Sequence, residues 1–456
     1  MKILSTIFLA LFIAMGSVAN AGPVDVQTAK DIGVKYLNAS VGHKAGAGEL
    51  QLVKTYFMGR GDAAFYVFST ASSFVIVSAQ DVATPILGYS DEGPFDADAI
   101  PEQMEWWLQD YARQIQYCLE ENVVPFDKTI REWELIRETG KLSDERALTA
   151  VTPLLTSTWH QNWPYNKFCP EAANTSPDLN GHKYAGCVAC AMSQVMRKWN
   201  YPTQGYGEHT YNPSGSPQQS VNFGETTYQW ANMPDNITNE SPVEEIDAVA
   251  TLMYHAGVAV DMYYAVSGSS CNDDSKVANA FKTYFLYSDE LSLEELHSYT
   301  TSDYATWKVK LRSSLDHGFP IFYTAGDDNS PAGHAFVLDG YSNDGAFHIN
   351  WGYSGAGNGY FPVGSFNTGG YHYNHAPCAI VNMHPQTQAN GDPWPTTQFQ
   401  IAVSSNGNGT VSGGNDYGFG ASVTVSATAN SGYSFAYWKE EDVIVSTDKD
   451  YTFTAK

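Results

Sequence analysis

The sequence predicts an α+β protein built from several globular units. Three observations predict it. The chain has 456 residues, more than one ordinary core accommodates. In its central region helix-period stretches come first and strand-like runs follow. From about residue 399 onward the character changes again, to short alternating runs between Gly and Asn turns. Apolar and aromatic contents of 43% and 14% are those of packed domains rather than disorder. With 49 acidic residues against 24 basic ones, a formal net charge of -25, the chain lacks the basic surface that a nucleic-acid partner requires.

The first residues set the compartment. Lys2, a nearly all-apolar run over 3–15 and the small-x-small site Ala19-Asn20-Ala21 predict a signal peptide over 1–21 and an exported protein. The apolar run is too short to span a bilayer, and no later stretch is long enough. Six cysteines, at 118, 169, 187, 190, 271 and 378, are too few for a disulfide scaffold.

Residues 22–148 predict a small α+β domain. Ala29, Ile32, Tyr36 and Leu37 line one face of a helix over 26–38. Residues 65–68 and 74–77 predict adjacent strands, and 85–89 a third. Pro101 opens a helix with Met104, Trp107, Leu108, Tyr111 and Ile115 along one side. No catalytic cluster occurs here, and Cys118 reads as a buried helix residue. Residues 127–148 are charged and without a sheet pattern, which predicts a solvated helix or linker. Such a segment, between a chemically empty domain and the region that follows, suits proteolytic processing.

Residues 149–386 carry every candidate for chemistry. Val188, Ala191, Met192, Val195 and Trp199 recur at three- and four-residue spacing after Gly186 and before Asn200-Tyr201-Pro202, so a helix begins at Cys187. Unpaired amides and the positive end of the helix dipole stabilise a thiolate there, and the thiolate is the attacking form. Further helices are predicted over 243–257 and 304–317, and strands over 320–323, 335–338, 346–351 and 379–383. His334 stands where the polar, Gly-bearing loop 326–330 enters an apolar strand. The turn Ser342-Asn343-Asp344-Gly345 folds the chain back as a hairpin, which predicts Asn350 and Trp351 near His334. An amide there fixes the imidazole tautomer and leaves the other nitrogen for Cys187. An oxyanion hole needs two donors: the Cys187 amide is one, and the aromatic, turn-rich stretch 158–166 is where the other is sought, although by spacing alone its Gln161 is an unremarkable loop amide.

These pieces resemble the streptopain family of secreted, papain-fold cysteine peptidases, the streptococcal cysteine proteinase and interpain-like group. The matching residues are Gln161 with Pro164-Tyr165-Asn166, Gly186-Cys187-Val188-Ala189 with Gln194-Val195-Met196, and Trp199-Asn200-Tyr201-Pro202. They continue as residues 257–262, Gly333-His334-Ala335-Phe336-Val337 and Asn350-Trp351-Gly352, in the family's order. The resemblance extends over about residues 23–385, with 74–78 and 87–90 marking a propeptide-like first domain. It implies a papain-like catalytic domain over 149–386 and an inhibitory propeptide over 22–148. It also implies Cys187 as nucleophile, His334 as base, Gln161 as oxyanion donor, and Asn350 or Trp351 holding the histidine. The implied substrates are proteins and peptides, with an apolar residue favoured just upstream of the scissile bond and no metal or organic cofactor. One departure is Cys190, where the family usually has Thr or Ala.

Residues 398–456 resemble one divergent internalin-B-type β-repeat, through Asn408-Gly409-Thr410-Val411-Ser412-Gly413 and Ser431-Gly432-Tyr433-Ser434-Phe435 with Trp438. A further strand is usual in such a unit, so the ending at Lys456 reads as a truncated repeat serving as spacer or adhesive element.

Two rival functions fit parts of the pattern. Cys187-x-x-Cys190 at a helix start suits a thiol–disulfide oxidoreductase, but leaves His334 and Asn350 without a role. An inert papain-like adhesin is the other, and the full set of active-site residue types argues against it. Zinc on His182, Cys187 and Cys190 lacks a fourth ligand and would silence the thiolate. Gly352-Tyr353-Ser354-Gly355-Ala356 misses the serine-hydrolase elbow.

Overall fold

The computed structural model describes residues 22–41, 49–143, 148–271, 273–296, 301–327, 330–364, 377–387, 398–418, 421–440 and 443–454. The expected signal peptide lies outside them.

The amino-terminal unit opens with α1 (Val26–Tyr36), capped by the Asp25 carboxylate, which accepts from the Gln27 and Thr28 amides. Four antiparallel strands follow: β1 (Gln51–Phe57), β2 (Ala63–Ser69), β3 (Phe74–Ser78) and β4 (Ile86–Ser90). β3 and β4 are buried at every position, because helices cover both faces. α1 packs Ile32 and Tyr36 on one side, and α2 (Glu102–Glu120) packs Met104, Leu108 and Ile115 on the other. The charged stretch expected to be solvated contains α3 (Asp127–Thr139), which buries Thr129, Glu132, Trp133 and Ile136. Trp133 and Ile136 join the α1 face, and the Trp133 indole donates to the Ala83 carbonyl at 2.8 Å.

The second unit is helical first and sheet-like after. α4 (Cys187–Trp199) is enclosed by α5 (Val243–Ala259) and α6 (Asp274–Thr283), with the small hairpin β5 (Glu208–Tyr211) and β6 (Gln219–Asn222) alongside. Beyond β7 (Ser292–Glu295) and α7 (Thr301–Asp316) come β8 (Ile321–Asp327), β9 (Ser330–Tyr341), β10 (Phe347–Asn350), β11 (Gly359–Phe361) and β12 (Cys378–Val381).

One ten-stranded sheet joins the two units, in the order β1-β2-β3-β4-β11-β10-β9-β8-β12-β7. The seam is the β4–β11 pair, where Tyr89 faces Tyr360 and their rings stack at 4.9 Å. It closes because a glycine stands at the crossing: a Cβ on Gly359 would collide with the Tyr89 carbonyl. Polar contacts reinforce it. Buried His348 on β10 holds Asp339 at 2.5 Å through Nδ1 and faces Glu92 of the amino-terminal unit at 3.0 Å through Nε2. The Tyr36 hydroxyl donates to Asp344 at 2.5 Å, and the Tyr111 hydroxyl to the Pro362 carbonyl at 2.7 Å.

Among the described residues the carboxy-terminal unit has seven short strands: β13 (Gln398–Ile401), β14 (Gly409–Ser412), β15 (Asn415–Gly418), β16 (Ser422–Ala429), β17 (Trp438–Glu440), β18 (Val443–Ser446) and β19 (Asp450–Thr454). Its core is small, Val423 and Val425 beneath Ile401, Tyr417 and Phe453. Residues 433–437 are irregular, and the chain becomes extended again only at Trp438.

Candidate active site

Gly186 starts α4 with φ of 95°, a left-handed conformation in which a Cβ would lie 3.0 Å from the Ser269 carbonyl. The chain turns sharply there, and the first amides of α4 are left to face Cys187. α4 packs against β9, and this brings the sequence-distant partners together: the Ala335 amide, next in the chain to His334, faces the Cys187 sulfur. Burial pushes the Cys187 thiol above its ordinary value. The amides of Ala335, Val188 and Cys187 itself pull the other way, and the Glu102 carboxylate adds to the push. Burial lowers the His334 pKa, with Glu102 opposing it.

Asn350 does not reach the imidazole. The hairpin register sets it opposite Val337, and its amide is committed elsewhere. Its Oδ1 accepts from Gln194 Nε2 at 3.1 Å and from the Gly352 amide at 3.0 Å, while Nδ2 donates to the Ser157 carbonyl at 2.9 Å. Gln194 Oε1 in turn accepts from the Trp159 amide at 3.1 Å and the Ser157 hydroxyl at 3.2 Å. This buried network ties α4, β10 and the 157–159 segment into one rigid block. Trp351 is buried beneath the β9 side chains, its ring 5.0 Å from Phe336 and its indole donating to the Gly357 carbonyl at 2.9 Å.

Gln161 lies beside the nucleophile's turn, because its carbonyl accepts from the Ala185 amide at 2.9 Å. Its own amide donates to His160 Nδ1 at 2.7 Å. Burial lowers the His160 pKa to about 4, so the ring is neutral and serves as an acceptor that shapes this loop. Among the described residues the Gln161 side-chain amide has no hydrogen-bond partner, which leaves its donors for a ligand.

The start of α2 covers this cleft. Trp106 lies 6.0 Å from the His334 ring. Trp107 meets Phe336 edge-on at 5.8 Å and Trp351 at 6.2 Å. Glu102 is close enough to act on Cys187, His334, Tyr184 and Tyr353.

Comparison with known proteins gives the same reading. The peptidase C10 family matches residues 159–361, the Spi protease inhibitor family residues 21–115, and the divergent InlB B-repeat domain residues 399–456. A solved fragment of Prevotella intermedia prointerpain A superposes with a TM-score of 0.59 and 30% identity, covering 73% of this chain and 97% of that one. The chain belongs to the C10 family of cysteine peptidases. Streptopain of Streptococcus pyogenes is 29% identical over 82% of this chain and 97% of its own length. The thiol protease/hemagglutinin PrtT of Porphyromonas gingivalis is 34% identical over 68% of this chain, and the chain spans about a third (35%) of that relative's length. Nothing in these comparisons supports an oxidoreductase or an inert adhesin.

Within this C10 peptidase the described residues hold no group of three His, Cys, Asp or Glu side chains that could take a metal ion. His182, considered above as a zinc ligand, instead lies 2.9 Å from the Cys169 carbonyl and stacks on Trp163. Sequence reasoning gave no role to Gln194, His160, Glu102 or Trp106. Gln194 carried a signal: it is a polar side chain on the buried face of α4, two turns beyond Cys187. The others carried none: His160 acts within its own loop, and Glu102 and Trp106 matter through contacts between distant segments.

Proposed function

We propose that the protein is an exported endopeptidase zymogen in which residues 22–148 silence the catalytic domain 149–386 until they are cut away, after removal of residues 1–21 as a signal peptide. The observation that carries this is α2, whose first turns lie over Cys187 and His334. The inhibitor-family match over residues 21–115 supports the same assignment.

Silencing has a chemical as well as a steric part. α2 carries Glu102, whose charge adds to the burial of the Cys187 thiol, and both favour the neutral thiol. Its departure removes that charge, leaving the amides of Ala335, Val188 and Cys187 to favour the thiolate. The Cys187 proton passes to His334, the thiolate attacks the substrate carbonyl, and the Cys187 amide with the Gln161 side chain holds the developing oxyanion. His334 gives its proton to the leaving amine and afterwards takes one from the water that releases the acyl-enzyme. Asn350 and Trp351 act indirectly, by fixing the hairpin that carries His334. The carboxy-terminal β-unit is a spacer or adhesive module outside the reaction.

The test is expression of the wild-type and Cys187→Ala chains side by side, with N-terminal sequencing of the products. The wild type is expected to yield an active form beginning between α3 and residue 159. The variant is expected to stay folded, uncleaved and inactive. Robust peptide hydrolysis by Cys187→Ala would overturn the assignment.

A further inference from the structure

Cys190 is the one part of the nucleophile's motif without a place in peptide hydrolysis. We propose that it is a resolving thiol, which captures peroxide-oxidised Cys187 as a reversible Cys187–Cys190 disulfide and so protects the enzyme from permanent inactivation. This rests on Cys187 being the reactive thiolate.

Helix geometry supplies the first argument. Residues three apart on a helix have Cα atoms about 5 Å apart, inside the range a disulfide bridges. Helical side chains tilt towards the helix start and lie over the residue three or four before them. Cys187 and Cys190 therefore share one face of the first turn, where no preceding turn of helix must be distorted to join them. The Cys190 amide donates to the Gly186 carbonyl at 3.0 Å, so the turn is formed.

The second argument is the surroundings of the two sulfurs, which differ in the way such a pair requires. Cys190 is 1% exposed, its Sγ 3.8 Å from the Gly352 carbonyl and 4.0 Å from Gln194 Nε2. Burial holds it as the neutral thiol, and the Cys187 charge pushes in the same direction, which places the two sulfurs within each other's field. Cys187, only partly buried in the full chain, is the sulfur that peroxide reaches once α2 has left. The other four cysteines lie elsewhere, on α2 (Cys118), in the 160s loop (Cys169), before α6 (Cys271) and at the start of β12 (Cys378).

The steps balance. The Cys187 thiolate attacks one oxygen of a hydroperoxide and the O–O bond breaks. Cys187 becomes a sulfenic acid, and the peroxide is reduced to water or an alcohol. Cys190 sulfur then attacks Cys187 sulfur, forming the S–S bond and breaking S–OH. The hydroxide takes the Cys190 proton and leaves as water. The fixed partner makes this step intramolecular, so it competes with a second peroxide that would carry Cys187 on to sulfinic acid. A dithiol reductant restores both thiols. The disulfide is an off state of the peptidase and takes no part in turnover.

The experiment treats the mature enzyme and its Cys190→Ser and Cys190→Ala variants with hydrogen peroxide until activity is lost. Dithiothreitol is then added, activity is measured, and the peptide spanning Tyr184 to Arg197 is weighed before and after reduction. All three are expected to start with similar activity. The wild type is expected to regain most of it and to show a peptide lacking two hydrogens. Recovery in the variants is expected to be about tenfold lower, with two oxygens located on Cys187 itself by fragmentation, apart from any oxidation of Met192 and Met196. Equal recovery in wild type and variants, or a wild-type peptide carrying sulfinic acid and never the two-hydrogen deficit, would overturn the proposal. The wild-type peptide mass decides the matter even if a variant misfolds. Insensitivity of activity to peroxide, together with an active Cys187→Ala enzyme, would instead sink the assignment of the nucleophile.

Discussion

Trp107→Ala is expected to unlatch the zymogen. Trp107 is 8% exposed and, among the described residues, meets four rings. Trp106 at 6.4 Å and Tyr111 at 6.0 Å belong to its own helix, whereas Phe336 at 5.8 Å and Trp351 at 6.2 Å belong to the catalytic unit. Truncating a buried Trp costs about 3–5 kcal/mol in all. With half of these ring contacts across the interface, about 1.5–2.5 kcal/mol falls on docking, which is roughly a 12- to 70-fold rise in the undocked fraction. The assay is the rate at which a thiol-directed epoxide alkylates Cys187 during the lag before cleavage, with the conversion rate followed in parallel. Both are expected to rise by tens of fold, while Trp107→Phe, which keeps most of the ring, changes them little. A Trp107→Ala zymogen that stays as silent as wild type would show that α2 is not what closes the cleft.

Three further perturbations separate the parts of the account. Glu102→Gln removes the charge that favours the neutral thiol, so alkylation of Cys187 in the uncleaved chain is expected to begin at lower pH; an unmoved profile would remove Glu102 from the silencing. Asn350→Ala leaves Gln194, Ser157 and the Gly352 amide short of partners, which should cost about 1–3 kcal/mol of stability and lower kcat. A variant with wild-type Tm would show the network to be idle. The third concerns pH. Burial alone would lower the His348 pKa, but Asp339 and Glu92 outweigh it and raise it to about 10, while the His348 hydrogen bond holds Glu92 below its ordinary value. The histidine's contribution is complete below its ordinary 6.5 and is lost as pH climbs through about 10. The contribution of Glu92 is complete above its ordinary 4.5 and is lost as pH falls through its depressed value. In the Cys187→Ala zymogen, His348→Gln is expected to flatten the fall in Tm between these histidine values, and an unchanged slope would refute the latch.

Much of the site was legible because its signals are local. The period of α4 put Cys187 on its first turn, and the polar stretch over 326–330 pointed to His334, although β9 begins at Ser330 and His334 lies inside the strand, paired with Ala325, rather than at its mouth. The Ser342–Gly345 turn gave the hairpin. Gln161 became legible only through the family resemblance, since a loop amide has no pattern of its own. The partner of Asn350 was misplaced because the hairpin fixes which backbones adjoin, not which side chain wins the amide. Gln194, arriving from α4, wins it over the imidazole. α3 was hidden by its charges, which mask the few apolar residues that dock on α1. β1 gave no clean alternation because it is the sheet edge, with most of its side chains exposed. The cover formed by Glu102, Trp106 and Trp107 joins segments more than two hundred residues apart along the chain, and no local period encodes that.

The measurement that bears most directly on the central claim is the pH dependence of Cys187 alkylation in the mature enzyme, with His334 present and with His334→Ala. The account predicts that the label lands on Cys187 and that reaction begins well below the ordinary thiol range of about 8.5, with loss of the imidazole returning it to that range. Identical profiles in the two proteins, or a label carried by another cysteine, would contradict it.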